Sequence, residues 1–172
     1  MASLQKDIPI DAAPDDVWAA VRDFGAVHRL APGFVLETRL DGEARIVTFA
    51  NGNVVRELLV DCDDARRRLV YAVISERVTH YNASVQVLAD GEARCRMIWT
   101  VDLLPNEIAP YIDGQMDQGA LAMQKKVRAR GVAARHQRDL SHRTAARACL
   151  AFPGASGLRR VPRCLRMQGA RS

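Results

Sequence analysis

Four cysteines, Cys62, Cys95, Cys149 and Cys164, are all that this 172-residue chain holds, and none falls in a CxxC pair or at metal-ligand spacing with a histidine. A disulfide framework and a structural zinc site are therefore not expected, and free thiols in a reducing compartment are. No stretch reaches eighteen consecutive apolar residues, and the N-terminal MASLQKDIPI has no apolar core of a leader peptide. The protein is expected to be soluble and cytoplasmic. The sequence also lacks GxGxxG, a phosphate-binding P-loop, HExxH and GxSxG. Nucleotide, metal and serine-nucleophile chemistries lose their usual carriers, and no cofactor or metal is expected.

Acids are missing from one end only. Residues 1–125 carry 13 Lys+Arg against 19 Asp+Glu, a balance of −6, whereas residues 126–172 carry 12 against one, a balance of +11. The overall charge of +5 thus belongs to the C-terminal segment and says nothing about the rest. The apolar period lapses there, and residues 131–172 read as a basic tail, disordered or loosely helical over Ala133–Leu150. Phosphate attraction is one use for such a segment. Against it, the run lacks interleaved aromatics and any nucleic-acid reading motif, so nucleic acid is not the expected partner and an appendage without that role is preferred.

What is present begins with a long amphipathic helix over Pro105–Val127. Ile108, Ile112, Met116, Ala120, Met123 and Val127 recur at spacings of three and four, while Asp113, Gln115, Asp117, Gln118 and Lys125 take the other side. Asn106 is the expected N-cap, and Glu107 suits the positive end of the helix dipole. Upstream, Leu4–Ile10 reads as an edge strand that tolerates Pro9. Pro14–Arg22 reads as a short helix, and Ala26–Leu30 as one further turn. Six β-rich runs follow: Phe34–Leu40, Ala44–Ala50, Asn53–Asp61, Arg67–Ser75, Thr79–Ala89 and Ala93–Leu103. Their connections are so short that they can join only antiparallel neighbours. The order predicts an α+β domain over residues 1–130, a seven-stranded curved antiparallel sheet around the long C-terminal helix, with two short helices after the first strand.

That order, with the segments IPIDAAPDDVWAAVRDFGAVHRLAP, GEARIVTF, VRELLVDCDDARRRLVY, THYNASVQV and WTVDLLP, resembles the START/Bet v1-like (SRPBCC) superfamily and within it the bacterial polyketide cyclase/dehydrase-like group. A fainter similarity runs to plant abscisic-acid receptors. The resemblance covers residues 4–128 and implies a helix-grip fold whose sheet and last helix enclose an apolar cavity. It does not choose a reaction, because such proteins include receptors, lipid and hydrophobe carriers, and enzymes. Receptors of this kind carry longer gate loops than the hairpin at Ala50–Asn53, which argues against a gate-and-latch mechanism.

Alternation along Asn53–Asp61 leaves two faces open, Val55, Glu57 and Leu59 or Val54, Arg56, Leu58 and Val60. The resemblance resolves the choice, since the glutamate of VRELLVD matches a cavity carboxylate, which places Glu57 inside. Under that phase the ligand-facing residues are Val47 and Phe49, then Val55, Glu57 and Leu59, then Tyr71 and Val73, Tyr81 and Ala83, Met97 and Trp99, and from the helix Met116, Ala120 and Met123. Tyr and Trp offer an apolar body with one polar handle, and Met adapts to irregular ligands. Glu57 either fixes a ligand's polar end, acts as acid or base, or forms a structural ion pair with an arginine such as Arg45. Trp99 is wall or core, Trp18 an anchor for the first helix, His28 a surface residue near the cavity mouth and His80 an outward one. The expected function is binding of a small hydrophobic or aromatic molecule by a monomer or homodimer. The alternative is a polyketide cyclase or dehydratase-like enzyme with Glu57 as its catalytic residue.

Overall fold

The computed structural model describes residues 1–126. Strand β1 (Ala2–Ile10) leads into α1 (Pro14–Val21), a 3-10 turn (Phe24–Ala26) and the single turn α2 (Val27–Leu30). A meander follows, β2 (Val35–Asp41), β3 (Ala44–Phe49), β4 (Val54–Asp63), β5 (Arg68–Ile74), β6 (His80–Ala89) and β7 (Cys95–Leu104). A 3-10 turn (Asn106–Ile108) then opens helix α3, which occupies 109–126. Pro105 rather than Asn106 holds the N-cap position, and no side chain caps the turn. Val127 and the basic tail lie outside the described residues.

The seven strands form one antiparallel sheet in the order β1-β7-β6-β5-β4-β3-β2. Chain neighbours are sheet neighbours from β2 to β7 because each hairpin is short, and β1 closes on β7 across the full length from Ala2↔Leu103 to Ile10↔Cys95. With a long helix gripped against this sheet, the architecture is the helix-grip fold. Two ends follow from the topology. The turns β3–β4 and β5–β6 and the β7–α3 connection meet at one end, while α1, the 3-10 turn and α2 cover the other.

β4 runs two residues past the expected Asp61, to Asp63, over a register shift between Leu59 and Asp61. Beyond the shift Cys62 still pairs with Leu69 and Asp63 with Arg68. Trp18 is the anchor its position suggests: the ring is buried and Nε1 donates to Asp64 Oδ1 at 2.8 Å. At the opposite margin Lys6 on β1 reaches Asp113 (2.8 Å) and Asp117 (2.6 Å) on α3, and Gln124 Nε2 donates to the Pro9 carbonyl (2.8 Å). Polar residues of α3 thus strap the helix to β1. Among the described residues, no helix is long and apolar enough to cross a membrane.

Candidate functional site

A cavity of about 850 Å³ lies between the sheet and α3. Most of its wall is apolar, because the inward positions of β3, β5 and α3 include Val47, Phe49, Leu69, Val73, Ile112, Met116 and Met123. Of the sequence-predicted residues, Val47, Phe49, Val55, Glu57, Tyr71, Val73, Tyr81, Trp99, Met116 and Met123 all line it.

Leu59, Ala83, Met97 and Ala120 do not, and each needs correcting for a physical reason. Met97 keeps the inward phase but sits between Ile8 and Val87 in the register, where the interior is filled. Ala83 lies between Tyr71 and Val101, and its methyl is recessed behind larger neighbours. Leu59, the last residue before the β4 register shift, packs on the core instead. Ala120, flanked on the helix by Met116 and Met123, is too short to reach the void. His28 stays off the wall, its Nδ1 buried without a hydrogen-bond partner among the described residues, and His80 is exposed.

The polar groups of the interior are few and connected. Arg45 and Glu57 face each other across β3 and β4, and both are buried, at 5% and 6% exposure. Arg45 Nε and Nη2 each approach Glu57 Oε2 at 2.6 Å, and Nη1 donates to the Phe24 carbonyl at 3.0 Å. The guanidinium carbon lies 4.2 Å from the Phe24 ring centre and 5.2 Å from that of Tyr71. Glu57 is therefore both a cavity residue and half of an ion pair, two readings that the sequence presents as alternatives. Arg45 belongs in the candidate site, and its signal was its even spacing from Val47 and Phe49 on the same strand.

Trp99 Nε1 donates to the Tyr71 hydroxyl at 3.2 Å, which fixes the indole as cavity wall. Burial first, and then the negative charge of Glu57, push the Tyr71 phenol well above its usual 10. The same two causes raise Tyr81. Both phenols thus stay protonated, so the cavity offers O–H donors rather than anions. Helix α3 approaches this wall closely at Gly119, where a Cβ would stand 3.0 Å from Phe34 Cε1 and 3.1 Å from Trp99 Cζ3.

The cavity is not sealed. Gly52, Val54, Ser75, Arg77, Glu107 and Tyr111 join its lining and are exposed, which puts the mouth at the end where the β3–β4, β5–β6 and β7–α3 connections meet. A polar clasp spans this mouth from hairpin to helix. Asn53 Nδ2 donates to the Tyr111 hydroxyl at 2.8 Å, and Asn51 Nδ2 donates to Gln115 Oε1 at 3.0 Å. Alternation could not reveal these residues, since they come from a turn and from the polar side of a helix.

The family model described as polyketide cyclase / dehydrase and lipid transport matches residues 1–135. No curated protein matches the chain in sequence. Among solved structures, an uncharacterised protein of Bacillus thuringiensis superposes with a TM-score of 0.66 at 19% identity, covering 72% of this chain and 97% of its own. A Thermobifida fusca protein gives 0.63 at 27% identity, with 76% and 93% covered. A point mutant of norcoclaurine synthase from Thalictrum flavum, in complex with a transition-state analogue, gives 0.60 at 21% identity, with 73% and 93% covered. At such identity, the plant enzyme and the Bacillus protein establish likeness of fold alone.

Proposed function

The chain belongs to the polyketide cyclase / dehydrase and lipid transport family, and from that premise we propose that it is a carrier or sensor-like module holding one small hydrophobic or aromatic molecule between sheet and helix. The observation that carries this reading is the cavity itself, about 850 Å³ of mostly apolar wall in which the polar groups stand as a compact set. Tyr71 and Tyr81 supply hydroxyls, and the Arg45–Glu57 pair supplies a polar floor with its charges already mutually satisfied. A ligand with an aromatic body and one neutral polar group matches that arrangement. Burial of its apolar surface supplies most of the affinity, and the hydroxyls fix its orientation.

Catalysis by Glu57, as in a polyketide cyclase or dehydratase, has less in its favour. The carboxylate is already paired with the Arg45 guanidinium, and among the described residues no histidine lines the cavity to share the proton transfer. The binding reading is tested with N-phenyl-1-naphthylamine, a neutral fluorescent hydrophobe, titrated into the full chain purified without detergent. One probe per chain with enhanced emission is expected, and Val73→Trp, which puts an indole into the cavity from its wall, should abolish it. Absence of enhancement, or enhancement that survives Val73→Trp, would overturn the reading. Native mass spectrometry of the same preparation identifies any ligand carried through purification.

A further inference from the structure

The two margins of the sheet are treated differently. β1 is guarded by Pro9, by Lys6 bridging to Asp113 and Asp117, and by Gln124 on the Pro9 carbonyl, all devices or cover from α3 that suppress edge pairing. β2 has no proline and no lysine; the 3-10 turn and α2 pack against its inner side, where Leu40 lies beside Gly25, but among the described residues no strand pairs with its outer margin. Among the described residues, Thr38, Arg39 and Leu40 form no backbone hydrogen bond outside the ladder with β3.

The hairpin fixes which groups are free. Asp41 and Ala44 enclose the two residues Gly42 and Glu43, and in a two-residue hairpin the flanking pair is hydrogen-bonded. Going back along β2, Arg39↔Ile46 and Glu37↔Thr48 repeat that state. Leu40 and Thr38 therefore turn their N–H and C=O groups away from the sheet, ready for another strand. The Thr38 side chain is held from inside, its Oγ1 accepting the His28 N–H at 3.2 Å, so the strand is presented in a fixed orientation.

Read about Thr38, the strand is its own complement. Antiparallel pairing with a second β2 places Thr38 opposite Thr38, Glu37 opposite Arg39, and Leu36 opposite Leu40. Glu37 and Arg39 are exposed and, among the described residues, neither has an ion-pair partner. Leu36 and Leu40 are 61% and 59% exposed, two of the most exposed large apolar side chains on the protein. Each unmet group thus finds its match at once, and the two-fold axis makes the Glu37–Arg39 and Leu36–Leu40 contacts twice each. We infer that β2 is a self-complementary edge through which two copies of this chain pair, joining their sheets into one fourteen-stranded sheet across Thr38. The register shift between Val35 and Glu37 ends the pairing at Leu36, so the ladder is short and the dimer dissociates reversibly.

Sedimentation equilibrium of the full chain from about 1 μM to about 1 mM tests this. The expected result is a monomer–dimer equilibrium. Glu37→Arg and Arg39→Glu each set like charges opposite one another twice per dimer, and each should raise the dissociation constant about tenfold or more. The double exchange Glu37→Arg/Arg39→Glu restores the match and should restore the dimer. None of the three should alter N-phenyl-1-naphthylamine binding, because neither residue lines the cavity. A chain that is monomeric throughout, a dimer indifferent to the single exchanges, or a double exchange that stays monomeric would each overturn the inference.

Discussion

Arg45 and Glu57 are buried together in a wall that is otherwise largely apolar, so removing either leaves the other as an uncompensated charge. Glu57→Gln should therefore destabilise the protein by about 3–5 kcal/mol in urea or guanidinium unfolding. The pair Arg45→Met/Glu57→Leu, which removes both charges at similar volume, should come close to the parent stability. A Glu57 standing alone in an apolar cavity would give the opposite sign, with the amide relieving a desolvated anion. The difference turns on one residue, Arg45, which the sequence offers as a partner of Glu57 and whose even spacing sets it on the same face as Val47 and Phe49. What alternation could not tell was that the Arg45 side chain is long enough to reach across to β4 and also to the Phe24 carbonyl. The fates of Met97 and Ala83 teach the complementary point. Their inward phase was legible, but depth along the interior and distance from the void are set by neighbours on other strands, which no local pattern carries.

Helix α3 contains two glycines in contrasting surroundings, and its stability should respond to them in opposite ways. Gly114 has open space where a Cβ would go, so Gly114→Ala should raise stability by up to about 1 kcal/mol through helix propensity alone. Gly119 rests on Phe34 and Trp99, and Trp99 is tied to Tyr71 while Phe34 packs edge-on against Phe49 at 5.3 Å. Gly119→Ala should lose the propensity gain and a further 1–2 kcal/mol or so to overpacking, with a shift in tryptophan emission. Thermal unfolding of both variants separates the two effects. The strap from β1 makes a pH prediction. Hydrogen bonds to Asp113 and Asp117 raise the Lys6 ammonium above its ordinary 10.5. A raised folded value means that the contribution is complete below 10.5 and is lost as pH climbs through the higher folded value. Hydrogen exchange in α3 should accelerate above pH 10.5 more in the parent than in Lys6→Met. The helix itself was legible from its 3.6-residue period. Its tether to β1 was not, because Asp113 and Asp117 look like any solvated pair until the sheet brings Lys6 beneath them.

For the molecule as a whole, element order and hairpin lengths were enough to read a seven-stranded meander gripping a helix, since short connections admit no other neighbours. The mouth was beyond reach, being assembled from connections far apart in the chain. Every cavity-lining residue named above falls between positions 21 and 123, and the family match ends at residue 135. Deleting residues 131–172 should therefore leave the melting temperature and N-phenyl-1-naphthylamine affinity nearly unchanged, as measured on the truncated chain beside the full one. A fall of many degrees would move the domain boundary downstream. The Arg45–Glu57 floor has one more consequence, which concerns the guest rather than the host. Because its cation and anion are already spent on each other, the cavity meets a ligand as a dipole with no net charge to trade. A weak acid would partition into it as the uncharged species, whose share falls about tenfold for each pH step above the acid's own pKa. Uptake would then follow the guest's protonation, and a cavity that binds in this way would sort protonation states.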